Sequence, residues 1–523
     1  MVAAVLLVCG AAVSAEPHGS LADYRRARLQ AANRPRRLLF NNDGNEPVYA
    51  LAEPKPATAE ALLACRTAAL ADTQVDGIFY CTWSSGFGLF THGTGVGQVF
   101  STKEGLFAPN RTPELLAAGV DPLRVMADFV HRHGREIFWS FRMNDTHDGA
   151  RTEYGPIMLR ANALKTEHPD WMIGSADEKP KYGAWTAVDY TRPEIRDLAF
   201  RYVEEVCLGY EVDGVELDFF RHPVFFRRAA LTGTACDDGE RALMTDLLRR
   251  IRRMTEDVGM RRGRPILLAV RVPDSNDYAR GCGLDVGAWL AEGLVDLLVA
   301  SGYFQLRPWS DTVALGHGHG AKVYASLDES RVRDEPARRL RSTLESYRGR
   351  AAAAWAAGAD GVYLFNAFDP KHPLWRELGS AEGLAGLDKD YFASIRGVGA
   401  AAGGALPHAA FVQVPTLNPA SPIRIPAGGR AASWFQAGRD SADPARVTVL
   451  IQRSPADRPI VPAVSLNGHA LDAGVAEAEG WLGYAARQEW LRAGRNDVEV
   501  ALPASAAEPV MWTDLRCTVR YLR

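Results

Sequence analysis

The densest run of chemistry-bearing residues is Val212 to Pro223, which reads VDGVELDFFRHP. As a β-strand its side chains alternate between two faces. Val215, Leu217 and Phe219 take one face; Glu216 and Asp218 take the other. Two carboxyl groups on the inward face of a central strand are costly unless they are paired or used, and their repulsion raises a pKa. Asp218, nearer the C-terminal end of the strand, is the candidate for direct chemistry. Glu216, one step deeper, is its orienting partner or one end of a buried ion pair. An internal carboxylate–arginine network is the structural alternative.

A second run, Phe141 to Asp148, reads FRMNDTHD. Arg142, Asn144, Asp145 and His147 there would reach the same mouth, with groups suited to sugar hydroxyls or a neighbouring carboxylate. A metal on His147 and Asp148 lacks a spaced set of further ligands, so no metal and no cofactor is expected. Other strand ends add Asn41, Asn42 and Asp43; Arg271 and Asp274; Tyr303 and Gln305; Asp328 and Glu329; and Asn366 and Asp369. Together with Trp83, Phe87, Trp139, Trp185 and Tyr303 they describe a mouth rich in carboxylates and aromatic rings. Rings stack on sugar faces while carboxylates and amides bind hydroxyls, so a carbohydrate is the expected partner. Phosphate ligands fit less well, because no Gly-rich cradle follows the first strand. His317 and His319 in the loop Gly316 to Gly320 read as a solvated loop without partner ligands.

The elements that must position these groups are eight β-rich apolar runs alternating with amphipathic stretches. The runs are 37–42, 75–83, 136–142, 213–219, 265–272, 295–303, 322–327 and 361–365. Eight βα alternations predict an α/β fold, a (β/α)8 TIM barrel, with a doubly wound sheet as the alternative. The stretch of about 70 residues between the third and fourth runs is far beyond an ordinary connection, and it carries Trp171, Tyr182, Trp185, Asp189 and Tyr190. Loops of that length at the C-terminal face of a barrel build sites. The loop Phe220 to Asp237, which starts with Arg221, is a second contributor.

The small-residue segment 398–406 reads GVGAAAGGA and marks a linker. Beyond it short β-rich runs punctuated by Gly, Pro and Asn467-Gly468 predict an all-β sandwich over 407–523, with the barrel domain over 16–397. Residues 1–15, MVAAVLLVCGAAVSA, read as a signal peptide with a small-residue cleavage pattern, so export to the periplasm or beyond is expected. No other apolar run is long enough to span a bilayer. The chain of 523 residues has a net charge of −3, which excludes the basic stripe that nucleic acid requires. The six cysteines beyond the signal segment are scattered and form neither a disulfide framework nor a metal cluster. Oligomeric state is not legible.

The runs VDGVELDFFRHP and FRMNDTH resemble the glycosyl-hydrolase-like family 10 group of secreted bacterial TIM-barrel proteins, over roughly residues 36–395. The resemblance implies hydrolysis of glycosidic bonds. A chitinase-type DGxDxDxE strand is a near match that fails: Glu216 stands where an Asp is needed, and Phe220 holds the position of the acid and cannot donate a proton. Glycosidases of the standard kind place two carboxyl groups across the scissile bond. Glu216 and Asp218 share a strand at different depths, so the partner of Asp218 should come from another strand. Asp218 is expected as nucleophile or general base and Asp328 or Glu329, then Asp274, as the acid, with Arg142 and Arg221 holding Asp218 ionised. A barrel that binds glycans without cleaving them stays open, as does another enzyme class such as a lyase or a metal-dependent deacetylase. In the C-terminal part, Trp434, Trp481, Tyr484 and Trp490 are candidate stacking residues of a carbohydrate-binding module; a purely stabilising domain is the alternative.

Overall fold

The computed structural model describes residues 20–397, 405–438, 445–455, 460–472, 474–506 and 508–521. The expected signal segment 1–15 and residues 398–404 of the expected linker lie outside them.

Eight parallel strands close into a barrel: β1 Leu38–Asn42, β2 Val75–Tyr80, β3 Glu136–Arg142, β4 Gly214–Asp218, β5 Leu267–Val272, β6 Leu297–Ala300, β7 Lys322–Leu327 and β8 Gly361–Phe365. Their order follows the sequence around the barrel, β1 closing against β8 and β2. All eight fall on the apolar runs read from the sequence. The doubly wound alternative is therefore excluded. Each strand is buried on both faces, which is why the runs are continuously apolar rather than cleanly alternating. Between strands lie helices with local start and stop signals. The longest, Asp238–Arg262, starts in a capping box between Asp237 and Glu240 and ends at Gly263, whose φ of 71° suits only glycine well.

Register sets the layers inside the barrel. Arg142, Asp218 and Arg271 are neighbours across β3, β4 and β5, and Ser140 and Glu216 form the layer below. At the C-terminal ends the backbone is unusual. Thr82, Trp83, Ser84 and Phe87 after β2, Ser301 after β6 and Asn366 after β8 all have φ between 41° and 71°. Non-glycine residues persist there only where the surroundings over-determine them. The segment after β2 is held in this way: Asp43 accepts from the Trp83 amide, Ser84 Oγ from the Arg142 amide and Asp145 from the Gly86 amide.

The C-terminal part is built from two antiparallel sheets. One has the order β9 (Lys389–Phe392), Val510–Tyr521, Ala445–Ser454, Trp481–Ala486, Val475–Ala476, with Ile423–Ile425 also on the Val510–Tyr521 strand. The other runs Arg430–Ala437, Gly494–Ala501, Ala463–Leu466, His469–Ala470. Asn467 and Gly468 make the tight hairpin between its last two strands, both at positive φ. Strand β9 precedes the expected linker yet is an integral strand of the first sheet, so the sandwich takes in residues on the barrel side of position 397. Helix Leu344–Ala356 lies directly on β9: a Cβ at Gly349 would sit 2.2 Å from the Asp390 carbonyl oxygen. Arg341, at the end of helix Glu335–Arg341, meets Asp514 with two hydrogen bonds of 2.6 and 2.8 Å, both side chains fully buried. The sandwich is thereby docked on the barrel rather than tethered to it.

Of the expected stacking residues of the sandwich, two are buried and two are partly exposed. Trp481 and Tyr484 are buried, and the Tyr484 hydroxyl donates to the Pro462 carbonyl. Trp434 lies in a small cavity against the barrel, under the Arg495 guanidinium, and Trp490 is stacked on His469. Among the described residues no helix is long and apolar enough to cross a membrane.

Candidate active-site cleft

A cleft of about 770 Å³ opens at the C-terminal mouth of the barrel. Its floor carries His147, Arg221, His222 and Tyr303; Glu329, Arg331 and Asn366 form one side. The long insertion after β3 supplies the other side with Arg151, Tyr154, Lys179 and Trp185. That insertion is fastened by Asn144, whose side chain donates to the Val188 and Val224 carbonyls and accepts from the Val188 amide. Asn144 therefore has no polar atom left for a ligand, contrary to expectation.

Strand alternation places the β4 carboxyl groups inward as predicted, but both are internal. Asp218, 1% exposed, accepts from the Phe220 and Arg221 amides through Oδ1 and from Arg271 Nη1, at 3.2 Å, through Oδ2. Arg271 is itself fully buried, its guanidinium 3.8 Å from the centre of the Phe365 ring. Glu216 accepts from Ser140 Oγ at 2.5 Å and from the Tyr363 hydroxyl at 2.9 Å. Burial first, and the charge of Asp218 second, push its pKa up to about 8. Asn41 belongs to this core, donating to the Tyr363 hydroxyl at 2.6 Å. Asp218, Glu216, Arg271 and Asn41 thus form a buried carboxylate–arginine network beneath the cleft, and none of the four lines it.

The other expected acids divide. Asp328 is fully buried, pairs with Arg396 and lies within 4.0 Å of Arg331 and Arg350. Asp274 accepts from the Leu306 and Arg307 amides and borders a separate cavity of about 220 Å³ outside the cleft, so it is a loop clamp. Burial pushes its pKa up to about 7 against those bonds. Glu329 alone among them lines the cleft, with its side chain 40% exposed. One of its oxygens pairs with Arg331 at 2.7 Å and accepts from Asn366 at 3.4 Å. The loop bearing His317 is at the opposite end of the barrel, on Asp360.

A second charged layer lies beneath the floor. Arg142 pairs with Asp43 and donates to the Trp83 carbonyl and Asp145, so Arg142 and Asp43 brace the strained segment, and Arg142 acts on Asp218 only at a distance, the direct partner being Arg271. Trp83 is buried in an aromatic cluster with Tyr49, Phe100 and Phe107 and is no stacking platform. Burial alone would raise the Asp145 pKa, but His147, His222 and Arg142 outweigh it and hold the carboxyl well below the usual carboxylate range. Asp145 accepts from His147 Nδ1 at 2.7 Å. That bond puts the proton on Nδ1 and leaves Nε2 as an acceptor, filled by Arg221 Nη2 at 2.9 Å. His222 accepts the Thr146 amide on Nδ1, and burial pushes its imidazole well below its ordinary pKa, so it is neutral with Nε2–H as a donor.

Asp145, His147 and His222 bring ligand atoms within 4.8 Å of one another, close enough to share an ion. The atoms are committed otherwise. His147 Nδ1 carries the proton given to Asp145, His222 Nδ1 accepts an amide, and two guanidinium groups face the cluster. The donor set does not fit a cation.

Of the expected ligand-binding residues the structure thus brings His147, Trp185, Arg221, Tyr303 and Asn366 to the cleft with Glu329. It adds His222, Arg331, Tyr154, Arg151 and Lys179. His222 was visible one residue beyond Arg221 in the strand-four run; the others carried no sequence signal beyond loop position.

No family model and no curated protein matches the chain. Solved structures similar to it include the PgaB (BpsB) glycoside hydrolase domain from Bordetella bronchiseptica, 13% identical over 66% of this chain and 99% of that one, TM-score 0.42. A glycoside hydrolase family 18 N-acetylglucosaminidase from Paenibacillus barengoltzii is 12% identical over 66% and 99%, TM-score 0.36. A cycloisomaltooligosaccharide glucanotransferase from Paenibacillus sp. is 10% identical, TM-score 0.35; the alignment takes in 93% of this chain but only 57% of the transferase. At this level of identity and TM-score no activity carries over.

Proposed function

We propose that the chain is a glycoside hydrolase that takes a poly- or oligosaccharide in the cleft at the barrel mouth. The observation that carries this reading is a cleft walled by Trp185, Tyr154 and Tyr303 that holds two proton-handling groups of different kinds, Glu329 and the Asp145-oriented His147. Rings supply stacking surfaces and Asn366 and His222 supply hydrogen bonds to hydroxyls. Glu329, once the ligand has drawn Arg331 away and the carboxyl has taken up a proton, gives that proton to the leaving oxygen as the anomeric C–O bond breaks. His147 takes a proton from the attacking water through Nε2, once the ligand has drawn Arg221 away from it, while Asp145 stabilises the imidazolium. The new C–O bond forms to that water. Export follows from the reading of residues 1–15 and belongs to the same proposal.

The test is reducing-end release from a panel of polysaccharides and oligosaccharides, with Glu329→Gln and His147→Asn beside the parent. General acid–base groups contribute roughly 10²–10⁴-fold each, so losses of that size are expected with folding intact. Product release that survives both substitutions refutes the assignment. A second reading, a glycan-binding barrel without cleavage, is favoured by one observation: Asp218, Glu216, Asp328 and Asp274 are all engaged internally, which leaves one carboxyl group at the cleft. Binding without release by the parent protein would select it.

A further inference from the structure

The charge balance of the cleft is opposite to that of the chain. Four cationic side chains, Arg151, Lys179, Arg221 and Arg331, line it against the single carboxylate Glu329, in a protein of net charge −3. Arg331 is paired with that carboxylate. Arg221 is not paired with anything of opposite charge: its Nη2 donates to the neutral ring nitrogen of His147, and no carboxylate of the described residues lies within 4.0 Å of its guanidinium. The guanidinium is held over the Tyr303 and Phe365 rings, 5.3 and 5.5 Å from their centres. The carboxylates nearest in the fold are taken. Asp43 pairs with Arg142 and Asp218 with Arg271, while Asp145 is hydrogen-bonded to His147 and lies 3.4 Å from Arg142; all three act on Arg221 only from beyond direct contact. A guanidinium in a partly desolvated floor with no carboxylate in direct contact gains from a ligand that supplies one. At the rim Arg151 and Lys179 are exposed and make no ion pair among the described residues.

Neutral sugars offer hydroxyls that both donate and accept, and a site for them needs acceptors as well as donors. Arg and Lys only donate. We infer that the glycan of this cleft is acidic, with the carboxylate of a uronic-acid-type residue docked on Arg221 and flanked by Arg151 and Lys179. The planar guanidinium fork matches a carboxylate in two parallel hydrogen bonds. A sulfate or phosphate ester would present the same negative charge; the carboxylate is preferred because its planar pair of oxygens matches the flat guanidinium of Arg221. The inference rests on the proposal that the cleft binds a glycan and specifies what kind.

The test is calorimetric titration of the full chain with matched oligosaccharide pairs: oligogalacturonate and its methyl ester, oligoglucuronate and cello-oligosaccharide, and a sulfated oligosaccharide with its unsulfated form. At least one carboxylate member should bind about tenfold or more tightly than its neutral partner. The gap should shrink as salt is raised from about 20 to about 500 mM. Arg221→Gln should close it, the acidic member losing its advantage over its neutral partner. Arg151→Gln, on an exposed side chain where folding is not at stake, should weaken the acidic member two- to threefold at low salt only, in line with a rim charge. Equal binding of acid and neutral members, or a gap untouched by Arg221→Gln, overturns the inference and leaves the glycan reading standing. Preference for the sulfated member alone overturns the carboxylate. Binding of no oligosaccharide overturns the glycan reading itself.

Discussion

Asp218→Asn separates a reacting group from a structural one. Asn retains an oxygen to accept the Phe220 and Arg221 amides, so the loop cap survives and only the ion pair with the buried Arg271 is lost. Breaking a buried pair by removing one partner costs about 3–5 kcal/mol. Part of that is recovered. Asp218 is the second cause of the raised pKa of Glu216, and with its charge gone Glu216 ionises more readily and faces Arg271 in its place. The lower end of the range, about 3 kcal/mol, is therefore expected. For a barrel of roughly 350 residues, with an unfolding entropy of ~2.1 cal/mol/K per residue, this is a fall in Tm of about 4 °C. The assay is a thermal scan alongside reducing-end release at a temperature where both proteins are folded. The expected result is a lower Tm with residual activity per folded molecule. An unchanged Tm with activity abolished would refute the reasoning and return Asp218 to the reacting atoms.

Four further outcomes are expected. Glu216 holds a proton in the folded chain up to pH about 8, against an ordinary value of 4.5, and Asp274 up to about 7 against 3.8. The unfolded chain binds fewer protons through that window, so stability falls as pH rises from about 4 to 8; Glu216→Gln should flatten the urea-midpoint profile over pH 5–8, and a profile as steep as the parent's counts against it. Arg341→Met leaves Asp514 buried and unpaired, at a cost of about 3–5 kcal/mol, and should expose the barrel–sandwich junction to limited proteolysis. Gly214→Ala brings a Cβ to 2.2 Å from the Phe138 ring; overpacking of that kind costs about 1–3 kcal/mol, measured as a lower Tm. Treatment with a strong chelator should leave glycan cleavage unchanged, since Arg142 and Arg221 surround Asp145 and His147; loss restored by a divalent ion would reverse that conclusion.

Local pattern made the scaffold legible. Strand identity depends on short runs such as Val75–Tyr80 and Gly361–Phe365, whose apolar content and turn boundaries are sequence properties. The inward direction of Glu216 and Asp218 follows from the two-residue period of one strand, and the clustering of polar residues at strand C-terminal ends follows from the barrel. What a strand-end residue faces does not follow from either. Asp328 is silenced by Arg396, 68 positions later, and Asp218 by Arg271, 53 positions later. Glu329, adjacent to Asp328 and like it beyond the end of β7, lines the cleft instead. Asn144 reads as a ligand-binding amide until the insertion folds back and presents the Val188 backbone to it. The sequence by itself determined the barrel, the inward carboxyl groups and the reach of the long insertion, because these depend on periodicity along the chain. Only the tertiary structure decided which charges are spent on one another and which, like Arg221, are left facing the cleft, because a counterion is chosen by distance in space and not by spacing in sequence.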